Sequence, residues 1–353
     1  MTATAEASLT GNCHHAETAR SCCPSIEPVP QVDTARGAID TGALGVTLMH
    51  EHVFMMTTEI HVNYPDAWGE DARREADAVN RLNELKARGV DTIVDLTVIG
   101  LGRYIPRIAR IAASTDLNIV VATGLYTYTD VPFRFHFRGP GTALGGPEIM
   151  TEMFVRDIEH GVADTGVKAA ILKCATDEPG LTPGVERVLR AVAQAHRQTG
   201  APISTHTHAG TRRGLEQQRV FAQEGVDLSR VVIGHCGDTT DLDYLQELMA
   251  AGSYIGMDRF GVDAYLAFED RVSTVATLCE RGHADQMVLS HDASCYFDAL
   301  PEETLPVAMP NWHYLHIHEN VLPALRERGV TEEQITTMLV DNPRRIFEHT
   351  GGY

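Results

Sequence analysis

The sequence predicts an α/β protein built as a (β/α)8 TIM barrel, and three observations carry that expectation. Eight short runs rich in β-branched and apolar residues recur along the chain, longer amphipathic segments separate them, and chemically active side chains gather at the ends of the runs. Residues 31–353 form one barrel domain in this reading, because barrels routinely exceed the ~150-residue prior for a single domain. Residues 1–30 lack apolar periodicity and are expected to be a disordered tail, although their "CHHAETARSCC" could capture a soft metal.

In chain order the runs are "GVTLMHEH" (45–52), "DTIVDLT" (91–97), "NIVVATGLY" (118–126), "KAAILKCA" (168–175), "PISTHTH" (202–208), "VVIGHCG" (231–237), "SYIGMDRFG" (253–261) and "MVLSHDA" (287–293). Between the first two, "DARREADAVNRLNELKARG" spaces Ala76, Val79, Leu82 and Leu85 as a helix would, with Gly89 as its stop. An open doubly wound sheet is the competing architecture, and the lack of a Gly-rich dinucleotide turn after the first run counts against it. The segment "VPFRFHFRGPGTALGGPE" after the third run is too long and Gly-rich for a tight connection, so it is expected to be a mobile loop beside the barrel mouth. It lacks the Lys-Ser/Thr of a phosphate cradle, and its Phe133, Phe135 and Phe137 would line either an entrance or a subunit contact.

Composition narrows the partners. Lys and Arg total 29 against 48 Asp and Glu, a formal charge of −19, which repels nucleic-acid phosphates and anionic membranes alike. No apolar run approaches the ~18 residues of a membrane helix and no secretory pattern opens the chain, so a cytoplasmic location is expected. The seven cysteines are scattered and odd in number, which reads as reduced thiols rather than a disulfide framework.

The last residues of the runs are His50 and His52, Asp95, Tyr126, Lys173, His206 and His208, His235, Arg259 and Asp292. Barrel enzymes keep their active sites at the carboxyl ends of their strands. Residues two apart on a strand share a face, so His50 and His52 aim together, as do His206 and His208. One H-x-H is a weak motif, but His at four run ends plus an Asp supplies the ligand set favoured by zinc, cobalt, iron or manganese. Lys173 is out of place among such ligands. On the residues alone it is a salt-bridged lysine at an acidic rim, or else a neutral amine that has added CO2 to become a carbamate. Ser290-His291-Asp292 spells a serine triad only on paper, since neighbours on a strand point to opposite faces.

At these positions "GVTLMHEH", "ILKCATDEPGLTP", "STHTHAG" with "RGLEQQRVF", "IGHCGDTTDLDYL", "GMDRFG" and "LSHDA" resemble the phosphotriesterase family of binuclear metal hydrolases. The likeness runs from about residue 33 to the end and is strongest to phosphotriesterase-like lactonases, including the parathion hydrolases of actinobacteria. It implies an amidohydrolase-like barrel with two divalent metal ions, zinc foremost. His50, His52 and Asp292 would bind one ion and His206 and His235 the other, with Lys173 as the bridging N6-carboxylysine, its carbamate derived from CO2. Two such ions would hold a hydroxide between them at neutral pH.

The resemblance also implies an activity: hydrolysis of N-acyl-homoserine lactones and related lactones, hence quorum quenching, with organophosphate triesters degraded as a side reaction. Tyr126, in "TGLYTY", matches the lactonase tyrosine and would stabilise the developing oxyanion, with Tyr128 beside it. Asp292 would accept the nucleophile's proton, and Asp238 and Arg259 would form its outer relay or position the loop. His208 and Trp312 are assigned to the substrate pocket, whereas His313, His316 and His318 are expected on an exposed helix face. Many lactonases place a tryptophan just beyond the metal-binding aspartate; here "HDASCYFDALPEE" has Tyr296, Phe297 and Ala299. The rivals are a dedicated phosphotriesterase and a noncatalytic scaffold. Expected partners are a small lactone or organophosphate and a second copy of the chain in a homodimer.

Overall fold

The structure is a computed structural model in which residues 29–348 and 351–353 are described. All but the last two residues of the expected disordered tail lie outside them. Each of the eight runs gives a strand, the fourth extending one residue past its run: β1 (Thr47–Glu51), β2 (Thr92–Asp95), β3 (Asn118–Gly124), β4 (Ile171–Thr176), β5 (Ile203–Thr207), β6 (Val231–Ile233), β7 (Tyr254–Met257) and β8 (Met287–Leu289). They pair in parallel and in sequence order. β1 and β8 complete the ring through the residues that follow β8: Asp292 N donates to His50 O (3.0 Å) and His52 N to Ala293 O (2.9 Å). The fold is the TIM barrel.

Among the described residues, seven helices of eight residues or more cover the outside: α1 (Asp71–Ala87), α2 (Ile105–Ala112), α3 (Ile149–Glu159), α4 (Pro183–Thr199), α5 (Arg213–Gln223), α6 (Leu242–Ala250) and α7 (Phe268–Glu280). Short helical turns follow β8. The ends of α4 show how locally the sequence sets such a helix. Thr182 caps it by accepting from Val185 N, Pro183 fills a first-turn position that needs no donor, and Gly200 stops it in the left-handed conformation at φ 77°.

Alternation along the strands creates two apolar layers. Leu48, Ile93, Val121, Leu172, Ile203 and Leu289 face the helices, and Val94, Val120, Ala122, Ile171, Val232 and Val288 fill the barrel interior. The interior plug matters for function. It closes the barrel from below, so that Lys173, two residues above Ile171, stands on an apolar floor.

Two expectations change. On α1 the buried face runs through Arg74, Ala78, Leu82 and Leu85, with Ala76 exposed. Arg74 displaces the expected apolar residue because its guanidinium stacks 4.5 Å from the Tyr296 ring centre and pairs with Glu302. The segment 131–148 is tethered from α4: Arg187 donates to Phe135 O, Arg138 O and Glu148, each at 2.7 Å. Phe135 is buried in the core, while Phe133 and Phe137 stay exposed.

Candidate metal centre and active site

The carboxyl ends of the strands open into a cavity of about 240 Å³ lined by His50, His52, Lys173, His206, His235 and Asp292 at the floor. Tyr126, Tyr128, Arg259, Trp312 and the apolar side chains of Leu101, Val262, Phe297 and Met309 form its wall. A larger surface groove of about 550 Å³ lies beside α4 and touches none of these floor residues.

Backbone irregularity aims the ligand-type side chains. The register of β1 against β2 shifts between Leu48 and Glu51, so that Met49 packs in the barrel interior and His50, its neighbour, still lines the cavity above it. His235 and Asp292 both lie just past a strand end in the left-handed conformation, at φ 58° and 57°. That conformation is costly for a residue with a Cβ, and it occurs here at two residues that turn inward.

Donor atoms converge accordingly. Nε2 of His50 and Nε2 of His52 lie 3.4 and 3.1 Å from Asp292 Oδ1, and His235 Nε2 lies 3.8 Å from Asp292 Oδ2. Lys173 Nζ is 3.0 Å from His50 Nε2 and donates to Thr205 O. His50, His52 and Asp292 have ligand atoms close enough together to hold a metal ion. The remaining ring nitrogens are held from behind. His50 Nδ1 donates to Asp258 Oδ2 (2.8 Å) and His235 Nδ1 to Asp258 Oδ1 (3.0 Å). His52 Nδ1 is 2.8 Å from the Thr97 hydroxyl, which donates to Asp95 Oδ1. His206 is reversed: its Nε2 donates to Asp177, and Nδ1 faces the cavity 3.1 Å from the Tyr126 hydroxyl. Imidazoles fixed in this way present one lone pair each in the neutral form that metals require.

The electrostatics agree. Burial holds the His50 and His235 rings well below the usual imidazole range, with Lys173 and Arg259 adding to the effect, and pulls His206 down to about 4. Burial also brings the Lys173 amine down to about 8 against the opposing pull of Asp292 and Asp258. Burial alone would raise the Asp292 carboxyl, but His50, a hydrogen bond from His52 and the Arg259 guanidinium together hold it below the ordinary carboxylate range. Neutral imidazoles, an accessible neutral amine and an ionised carboxylate fit divalent cations.

The chain matches the model of the phosphotriesterase family over residues 30–347. The chain belongs to the phosphotriesterase family. It is 78% identical over 325 residues, 92% of this chain and all of the relative, to a phosphotriesterase homology protein of Mycobacterium tuberculosis. It is 38% identical over 315 residues, 88% of this chain and 98% of the relative, to an aryldialkylphosphatase of Saccharolobus solfataricus. A solved structure described as the phosphotriesterase from Mycobacterium tuberculosis superposes with a TM-score of 0.91 at 79% identity, covering 92% of this chain and all of that one. Members of the phosphotriesterase family are metal-dependent hydrolases with binuclear sites, and this chain has His and Asp groups able to bind metal.

Not every predicted residue joins the phosphotriesterase-type site. His208 is absent from the cavity lining: β5 ends at Thr207, the chain turns, and the His208 ring bonds the Thr211 hydroxyl instead. Arg259 sits between two carboxylates: its Nε donates to Asp292 Oδ2 and its Nη1 to Asp238 Oδ2, both at 3.0 Å. A guanidinium interposed between two carboxylates cannot pass a proton, so this geometry favours positioning over an outer relay. Trp312 lines the cavity and donates to His291 O at 3.0 Å. His316 is buried and His313 and His318 are half-buried, because that helical segment packs inward, with His316 against Phe268, rather than lying in solvent.

Sequence reasoning missed Asp258, Asp177, Thr97 and Glu51. Asp258 and Asp177 were visible only as acidic neighbours of Arg259 and Lys173. Thr97 had no signal at all, being a threonine among many.

Proposed function

We propose that the protein is a lactonase, opening N-acyl-homoserine lactones and related lactones and hydrolysing organophosphate triesters as a side activity. The observation that carries this reading is the Tyr126 hydroxyl, set 3.1 Å from His206 Nδ1 at the edge of the donor cluster and beneath an apolar wall. In this reading His50, His52 and Asp292 hold one divalent ion and His206 and His235 the other. Lys173 would serve both ions as a carbamate, formed by addition of its neutral amine to CO2 with loss of a proton. The ions, zinc first among the candidates, supply Lewis-acid polarisation of the substrate oxygen and an activated water.

The chain's own groups do the rest. Burial and the contact with Tyr128 hold the Tyr126 phenol well above its usual range, so it stays protonated and donates to the lactone carbonyl oxygen as charge builds there. Arg259 fixes the Asp292 carboxylate, which takes the proton of the attacking water and returns it to the leaving alkoxide. Met309, Phe297 and Trp312 offer an apolar wall to an acyl chain, while Tyr128 borders the ring. The reading extends to a cytoplasmic homodimer, supported by the buried free thiols of Cys174, Cys236, Cys279 and Cys295 and by exposed Phe133 and Phe137 on one loop.

A dedicated phosphotriesterase is the second reading, favoured by the name of the 38%-identical relative. The discriminating experiment measures kcat/KM for an N-acyl-homoserine lactone and for paraoxon on one metal-loaded preparation, with Tyr126→Phe alongside. Faster lactone opening, slowed about 10- to 100-fold by Tyr126→Phe while paraoxon is spared, is the expected result. Faster paraoxon hydrolysis, indifferent to Tyr126, overturns the lactonase reading in favour of its rival.

A further inference from the structure

We infer that Asp258 couples the two metal sites, acting as a positioning residue shared between one histidine of each. The inference rests on the binuclear reading above and extends it from which residues bind to how the two ions are loaded.

Asp258 is almost completely buried and lies behind the cavity, outside its lining. Its two oxygens are divided between the sites: Oδ2 accepts from His50 Nδ1 at 2.8 Å, and Oδ1 accepts from His235 Nδ1 at 3.0 Å and from His235 N at 2.7 Å. The two rings stack with centroids 4.7 Å apart and planes inclined by 25°. No other carboxylate among the described residues holds two of the four cavity histidines from behind. Asp177 serves His206 alone, and Asp95 serves His52 alone, through the Thr97 hydroxyl and from 3.9 Å away.

The pocket for this carboxylate is built to fit. A Cβ on Gly256 would lie 2.3 Å from Asp258 Oδ2, and one on Gly234 would lie 3.2 Å from the same oxygen. Both glycines leave the space that the side chain fills. Asp258 also accepts the amide of His235, which holds that residue in its left-handed conformation at φ 58°.

The consequence follows from rigid geometry. An ion that draws His50 into place draws Asp258 Oδ2 with it, and the planar carboxylate carries Oδ1, and so His235, toward its ligating position. The second ion then meets a ligand whose orientation has already been selected. Asp258 is not itself a ligand in this account, because both of its oxygens are occupied by Nδ1–H groups whose rings present Nε2 to the cavity.

The test is a Co2+ titration of chelator-stripped protein, followed by native mass spectrometry, which counts chains with no ion, one ion and two. Wild type is expected to pass from empty to doubly loaded with the one-ion species minor throughout. Asp258→Asn keeps the volume and removes one acceptor. Gly256→Ala keeps the charge and pushes Oδ2 off His50. Each should make the one-ion species dominant at intermediate Co2+ and raise the Co2+ needed for the second ion about tenfold.

Equal weakening of both ions with an unchanged one-ion fraction overturns the coupling, as does wild-type behaviour in both folded variants. A wild-type chain that accumulates the one-ion species on its way to double loading also overturns it, and this arm requires no variant to fold. A wild-type chain that never takes a second ion instead overturns the binuclear reading beneath it.

Discussion

Glu51 grips the peptide on either side of Asp292: its Oε1 accepts from His291 N (3.0 Å) and its Oε2 from Ala293 N (2.9 Å). The same carboxylate receives the Ser290 hydroxyl and His291 Nδ1. Asp292 thus keeps its left-handed backbone because β1 clamps the turn after β8, and the barrel seam and the metal-facing carboxylate are one structure.

Glu51→Gln tests that clamp. Its amide NH2 would face the Ala293 N–H, donor against donor, and leave a buried group unpaired at about 1–3 kcal/mol. A lower Tm and a lower bound-metal content are expected together. An unchanged Tm in thermal melts would show that the clamp is dispensable.

On acidification the buried histidines of the chelated protein withhold protons that the released imidazoles take up, and Glu51, whose carboxyl burial raises to about 8, acts in the opposite direction. Burial lowers His206 to about 4 and His291 to about 3 in the folded state, against 6.5 when released. Their stabilising contribution is complete above pH 6.5 and is lost as pH falls, because the unfolded chain takes up protons that the folded chain refuses. Each contributes about 1.4 kcal/mol of loss by pH 5.5. His316 and His318, lowered by burial to about 4, act in the same direction. Imidazole NMR titration of the folded, chelated protein isolates the histidine contribution; His206 and His291 rings that titrate near 6.5 in the folded state would contradict it.

His208→Ala separates the histidine inside the site from the one outside it. Its ring bonds Thr211 and lines no part of the cavity, so kcat/KM should stay within about twofold of wild type and stability within about 0.5 kcal/mol. A tenfold loss of lactone turnover would place His208 against the substrate after all.

The histidine pair also marks where the sequence stopped being legible. The barrel was readable because each strand is a compact apolar run, and the ligand-type residues were readable because they cap those runs. Side-chain direction was harder. Alternation predicted that His208 follows His206, yet the strand ends one residue too soon, while at β1 a register shift leaves His50 facing the cavity just above the inward-packed Met49. The role of Asp258 was illegible for a different reason. Holding two imidazoles from behind is a property of three strands meeting, and no spacing within one strand encodes it. Arg74 shows the limit for helices, since a buried arginine satisfied by Glu302 and an aromatic face looks in sequence like any solvated charge.

His50, His52, Lys173, His206, His235 and Asp292 are proposed to hold a pair of metal ions. Anomalous diffraction at the zinc edge from crystals of the zinc-loaded protein tests it most directly. Two peaks about 3.5–4 Å apart, flanking a carbamate that extends from Lys173 Nζ, are the predicted result. A single peak, or peaks elsewhere with Lys173 a bare amine beside His50, would contradict it.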